Sequence, residues 1–174
     1  MGVPIYDADR HAKKLMTTDG ILVEQIKKEF GTLSYHENGD LNKRFLSEVV
    51  FNDEANLKKL NALVHPRVAI DYSSWLAGHH TCAYIVKEAA LLFESGSFRA
   101  LDKIIVVTAP EQLRVMRVLK RDPQRTETEV RKIIGNQMAE EEKLKRADYV
   151  VQNNDVELVL PQVLKLHERF LSMN

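Results

Sequence analysis

Residues 3–15 read VPIYDADRHAKKL. Val3 to Tyr6 is apolar and rich in strand-forming residues, and Asp7-Ala8-Asp9 follows at once, so the pattern predicts a strand that ends where a helix needs its cap. Two carboxylates thus arrive together at a strand-to-helix turn. In open α/β sheets the carboxyl ends of strands are where ligands collect, so the turn is a candidate site before anything else is known.

Working outward, the chain alternates short apolar runs with helical text. ILVEQIKKEF carries a helical stripe at Ile21, Leu22, Ile26 and Phe30 that Gly31 ends, and GTLSYHENGD reads as a turn-rich loop or small hairpin. Residues 42–78 predict about three helices, the third opening at HPRVAIDYSSWLAG with Pro66 in its first turn. AYIVKEA and KIIVVTAP are short apolar runs of the kind buried inside a parallel sheet. PEQLRVMRVLKRD predicts a basic helix, and TETEVRKIIGNQMAEEEKLKRAD one longer helix opened by a Thr126 to Glu129 capping box. DYVVQNN is the fourth strand, and a last helix spans about 156–171, with Pro161 near its start. This alternation predicts a three-layer α/β fold with a parallel sheet. Asp7, Asp9, Lys87, Glu88, Thr108 and Asn153 all fall at strand ends. For each alone a purely structural role is the stronger reading, a strand-end Asp being more often a helix cap than a catalyst; only their convergence favours a site.

Composition narrows the class. Across 174 residues, 25 basic side chains balance 25 acidic ones, so net charge points to neither nucleic acid nor membrane, and any bound anion must be met by a local cluster. The one cysteine, Cys82, forms no internal disulfide, which suits a reducing compartment and predicts a cytoplasmic protein. No stretch has the length of a membrane span or the order of a signal peptide. His79, His80 and Cys82 cluster in sequence, but no further ligand lies at metal-site spacing, so no protein metal site is expected.

Five strings, VPIYDADRHAKKL, LNALVHPRV, EAALLFESG, LRVMRVLKRD and RKIIGNQMAEEEKLKRADYVVQNND, stand in an order and spacing that resemble dephospho-coenzyme A kinase from Gly2 to about Asp155. The resemblance implies a P-loop, nucleoside-monophosphate-kinase-like fold: a core at 1–30, 79–120 and 146–174, a helical substrate insert at about 31–78, and a helical lid at about 121–145. It implies transfer of the γ-phosphoryl group of ATP, with magnesium, to the ribose 3′-hydroxyl of dephospho-coenzyme A. Such a reaction asks for positioning, neutralised phosphate charge, and a group to take the hydroxyl proton.

By the same resemblance Asp9 matches the catalytic base, and Asp7 is its neighbour, bound to substrate or, through water, to metal. Lys87 and His65 match positions near the substrate, and a positive charge beside the insert's start falls to Lys43 or Arg44; a lysine there lacks the two-pronged donation of arginine. Arg117 and Arg121 match an RxxxRD pattern at the edge of the ATP site, where a planar guanidinium suits phosphate oxygens. Lys143 is the positive candidate in the lid where some relatives carry Arg at the position of Glu140, and Asn153 with Asn154 lies where adenine is held.

One element of the family pattern is absent. The strand followed by GxxxxGK[ST], whose N–H groups cradle phosphates, occurs nowhere in the 174 residues; the family places it upstream of the position of Met1. The expectation is therefore that the first strand here is the family's second, that the start is an internal methionine, and that the central strand and main phosphate site are missing. Two other readings stay open: a coenzyme-A-binding pseudoenzyme, and another small-molecule kinase. The oligomeric state is open as well.

Overall fold

The computed structural model describes residues 1–51 and 53–173, in two compact units, Met1–Ala90 and Leu91–Asn174. In the first, β1 (Ile5–Asp7) pairs in parallel with β2 (Val86–Glu88), Tyr6 opposite Lys87 and Asp7 opposite Glu88. Strand side chains alternate between faces. Tyr6 and Lys87 accordingly share the face that meets aromatic rings, whereas Ile5, two residues before Asp7, is 63% exposed.

Four helices connect the two strands: α1 (Ala8–Thr18), α2 (Gly20–Phe30), α3 (Lys43–Phe51) and α4 (Glu54–Ala77). Asp7 caps α1 by accepting from the Arg10 N–H at 2.8 Å, and Asp19 caps α2 by accepting from Leu22 N–H at 3.0 Å. Leu22 and Ile26, one helical turn apart, are fully buried with Tyr35, Leu46, Val50 and Val64. Tyr35 donates to the Met16 carbonyl at 2.7 Å, and burial, with the Glu24 charge behind it, pushes its phenol up to about 12. The GTLSYHENGD segment is the small turn expected, a 3₁₀ turn at Thr32–Ser34 and a bridge between Tyr35 and Leu41.

The three helices expected over 42–78 are two. Pro66 lies inside the continuous 24-residue α4 instead of opening a helix. Its ring removes one helical hydrogen bond and costs about 3 kcal/mol in a free helix. Here both halves are pinned by packing: Val64 sits in the Leu22 cluster, Tyr72 in a second cluster with Tyr6 and Ala8, and Arg67 pairs with Asp19 at 2.6 Å. Tertiary contacts override the local break.

In the second unit β3 (Ile105–Thr108) pairs in parallel with β4 (Tyr149–Gln152). Between them lie α5 (Glu111–Arg121), α6 (Glu127–Gly135) and α7 (Glu140–Arg146), and α8 (Val159–Leu171) follows. Val106, Val115, Val130 and Val151 are buried. The Thr126–Glu129 capping box forms as expected, but the single long helix after it does not. Gly135 ends α6, and the Met138 N–H leaves the helical ladder to reach the Glu94 carboxylate at 2.6 Å. Helix α8 starts later than expected because the Asn154 side chain accepts from the N–H groups of Val156 and Glu157 and holds a turn there.

Among the described residues the ladders are β1 with β2 and β3 with β4, so every strand has one open edge. No helix among them is long and apolar enough to cross a membrane.

Candidate functional site

The acidic turn of the first unit forms as its sequence requires. Asp7 is the last residue of β1 and the cap of α1, and Asp9 stands exposed in the first turn of α1, where a carboxylate is favoured by the helix dipole. Among the described residues the Asp9 carboxylate has no hydrogen-bond partner within the protein. Glu88, level with Asp7 across the ladder, completes an acidic group. Burial first, and then the charges of Asp9 and Asp7, push the Glu88 carboxyl above the usual carboxylate range. A carboxyl raised by folding stabilises the fold below its unfolded pKa and loses that contribution as pH rises through the folded value. Glu88→Gln is therefore expected to raise Tm at about pH 8 and to lose that advantage near pH 4; thermal melts at both pH values check it.

The remaining candidates of this unit separate. Lys87 does not share the Glu88 face; its ammonium lies 4.1 Å over the Tyr72 ring, and burial pushes it below the usual lysine range. His65 is half-buried on α4, and burial holds its imidazole below the usual range, so it is neutral at pH 7. Lys43 and Arg44 open α3 and are exposed, Arg44 pairing with Glu48 one turn on.

The second unit contains a cavity of about 620 Å³ lined by Thr108, Arg114, Gln137, Glu140, Lys143 and Asn154 among others. Lys143 directs its ammonium toward Gln137 Oε1 at 3.4 Å. Glu140 accepts from the Thr108 hydroxyl and pairs with Arg114 at 3.3 Å. Arg114 Nε is buried without a partner among the described residues, an orphaned donor in the cavity wall. Arg117 is engaged by the protein itself: it donates to the Asn153 carbonyl at 2.9 Å and to Asp155 at 2.6 Å. Asp155 takes positive φ to do this, a conformation aspartate tolerates. Arg121 pairs with Asp122 at the end of α5, and Asn153 donates its N–H to the Thr108 carbonyl at 2.8 Å. The arginine that reaches the cavity is thus Arg114, which sequence reasoning passed over. Its signal was the spacing: Arg114, Arg117 and Arg121 form one helical stripe, and the first stands nearest the strand end.

A model of the dephospho-CoA kinase family matches residues 1–158. The chain belongs to the dephospho-CoA kinase family. It is 36% identical over 170 residues to the dephospho-CoA kinase of Bacteroides fragilis, covering 95% of this chain and 80% of that protein. The Fusobacterium nucleatum dephospho-CoA kinase is 36% identical over 169 residues, covering 97% and 84%. Among solved structures, one from Thermus thermophilus superposes with a TM-score of 0.76 at 33% identity, over 94% of this chain and 84% of that one. The dephospho-CoA kinase from Campylobacter jejuni gives a TM-score of 0.58 at 27% identity, over 88% and 77%. The family expected from the five strings is the family found, and the α/β fold of parallel strands and helices agrees with it.

Proposed function

We propose that the chain serves coenzyme A biosynthesis by moving the γ-phosphoryl group of ATP onto the ribose 3′-hydroxyl of dephospho-CoA, with Asp9 accepting the hydroxyl proton. The observation that carries this is the strand-to-helix turn: Asp9 is exposed, unengaged by hydrogen bonds among the described residues, and beside Asp7 and Glu88. A carboxylate in that setting can orient a hydroxyl and take its proton as the bond to phosphorus forms. Asp7, Lys43, Arg44, His65 and Lys87 are the proposed substrate-side residues; Lys43 and Arg44 are exposed, and Lys87 meets the Tyr72 ring on the aromatic face of its strand. His65, neutral at pH 7, would hydrogen-bond substrate and not pair with its phosphates.

The nucleotide side is proposed for the cavity and its rim. Arg117, Arg121, Lys143 and Asn153 keep the roles given above, and Arg114 joins them. Its guanidinium lines the cavity, and a planar guanidinium suits phosphate oxygens. Magnesium takes phosphate oxygens, water and one or two carboxylates, and so asks for no all-protein cage. No group of three or more acidic, histidine or cysteine side chains among the described residues is arranged to hold a metal alone; Asp7, beside Asp9, would offer magnesium a carboxylate through water. When bound with ATP, it would neutralise charge on the phosphates. A reducing, cytoplasmic setting fits the exposed free Cys82.

The phosphate-cradling loop has no counterpart in the 174 residues, and we expect these residues assayed alone to turn over slowly or not at all. The same observation favours the second reading, a protein that binds dephospho-CoA without phosphorylating it. One experiment separates them: ADP release with ATP, magnesium and dephospho-CoA, on the 174 residues and on a form extended upstream. ADP formation that depends on dephospho-CoA in either form supports the kinase. Silence in both with dephospho-CoA binding retained gives the binding protein, and silence without binding defeats both readings.

A further inference from the structure

The turn that carries Asp7 and Asp9 is tied at both ends to a single oxygen atom outside it. Tyr6, fully buried just before the turn, donates its hydroxyl to Asp71 Oδ2 at 2.7 Å, with the Val68 carbonyl a longer second acceptor at 3.3 Å. His11, just after it, brings Nδ1 within 2.6 Å of the same Oδ2. The two rings also stack, 4.1 Å between centroids. Burial first, and the Asp71 bond second, push the Tyr6 phenol above its ordinary range, so it stays protonated and donates. Asp71 lies on α4, the helix that also carries His65.

We propose that Asp71 is a positioning residue for Asp9, closing residues 6–11 on itself so that the turn, and with it the Asp9 carboxylate, holds one orientation. This rests on the reading of Asp9 as the group that takes the hydroxyl proton. Asp71 satisfies the buried Tyr6 hydroxyl, which serves stability, but that need does not account for its second bond, to His11. Tyr6 is already fixed by Tyr72 and Trp75, whose rings meet its own edge-on at 5.0 and 5.4 Å. The His11–Asp71 pair is about a quarter to a third exposed, where a pair adds little to folding. What it does fix is the rotation of the first turn of α1 about the end of β1. A catalytic group displaced by about 1 Å can lose on the order of 10²-fold in rate, so a constraint weak in folding energy is strong in catalysis.

The test places Asp71→Ala, Asp71→Asn and His11→Ala in the parent and in Asp9→Asn, using whichever form of the chain turns over dephospho-CoA. Asp71→Ala is expected to lower kcat about tenfold or more with both KM values nearly unchanged. Asp71→Asn should recover part of the loss, because its amide oxygen still accepts from Tyr6. In the Asp9→Asn background Asp71→Ala should cost nothing further, the non-additivity of residues acting through one group. A folded Asp71→Ala protein with parental kcat, a loss confined to KM, or an equal loss in both backgrounds overturns the inference. If Asp71→Ala fails to fold, His11→Ala, which leaves the Tyr6 bond in place, must show the kcat loss or the inference falls. Asp9→Asn with parental turnover, or no turnover by any form, defeats the proposed function and this inference together. Inactive Asp9→Asn with parental Asp71→Ala defeats this inference alone.

Discussion

Asp9→Asn is expected to lower kcat for dephospho-CoA phosphorylation by about 10²–10⁴-fold while leaving dephospho-CoA affinity nearly unchanged. The substitution keeps shape and a hydrogen-bonding oxygen but removes the proposed base. It breaks no internal hydrogen bond among the described residues, so a folding defect is not expected to confuse the result. Relief of charge beside Glu88 works toward stability. Asp7→Asn is the control, because asparagine caps a helix as well as aspartate does and should keep the bond from the Arg10 N–H. If Asp7 acts chiefly as a cap, its variant retains most activity and the two carboxylates have separable duties. Coupled ADP release with calorimetric binding of dephospho-CoA measures both; an Asp9→Asn protein that turns over at the parental rate would remove Asp9 from the chemistry.

What the sequence made legible followed from local rules. The Asp7 cap, the Leu22 and Ile26 stripe, the Thr126–Glu129 box and four short parallel strands each depend on residues within a few positions of one another, or on an apolar run that suits only a covered strand. The misreadings lie where distant residues decide. Pro66 looks like a helix start until Arg67 is paired with Asp19 and Tyr72 is packed on Tyr6. The long helix after Thr126 looks continuous until the Glu94 carboxylate takes the Met138 N–H. The candidate site divides along the same line. Asp7 and Asp9 were placed by their own turn, and Lys143 does line the cavity. Lys87 sits at a strand end but on the aromatic face, because the pleat sends alternate residues to opposite sides. Arg114 was missed since its carboxylate partner, Glu140, is remote in sequence, and so was Asp71, which lies 65 and 60 residues from its partners Tyr6 and His11 on either side of the acidic turn.

Asp19→Ala is expected to destabilise the fold by about 2–4 kcal/mol, or about 5–15 °C in Tm. Asp19 does two things at the joint between α1 and α2. One carboxylate oxygen caps α2 at Leu22, and the other receives Arg67 of α4 at 2.6 Å. Losing a cap costs about 0.5–2 kcal/mol. The rest comes from leaving Arg67 unpaired; the two side chains are only 10% and 24% exposed, though Arg67 can still reach water, which keeps the cost below that of a fully buried pair. Burial by itself would raise the Asp19 carboxyl, but the Leu22 N–H and the Arg67 guanidinium outweigh it and hold the group below the usual carboxylate range. A carboxyl lowered by folding stabilises above its unfolded pKa and loses that contribution as pH falls through the folded one. The gap between parent and Asp19→Ala should therefore narrow as pH drops below the ordinary carboxylate range, leaving the apolar core terms common to both. Asp19→Asn, which keeps the cap and loses the charge, should fall between them at neutral pH. Denaturant melts at neutral and acid pH decide: parent and Asp19→Ala unfolding together at pH 7 would mean that α4 is held across Pro66 by its apolar contacts alone, without the pair to Arg67.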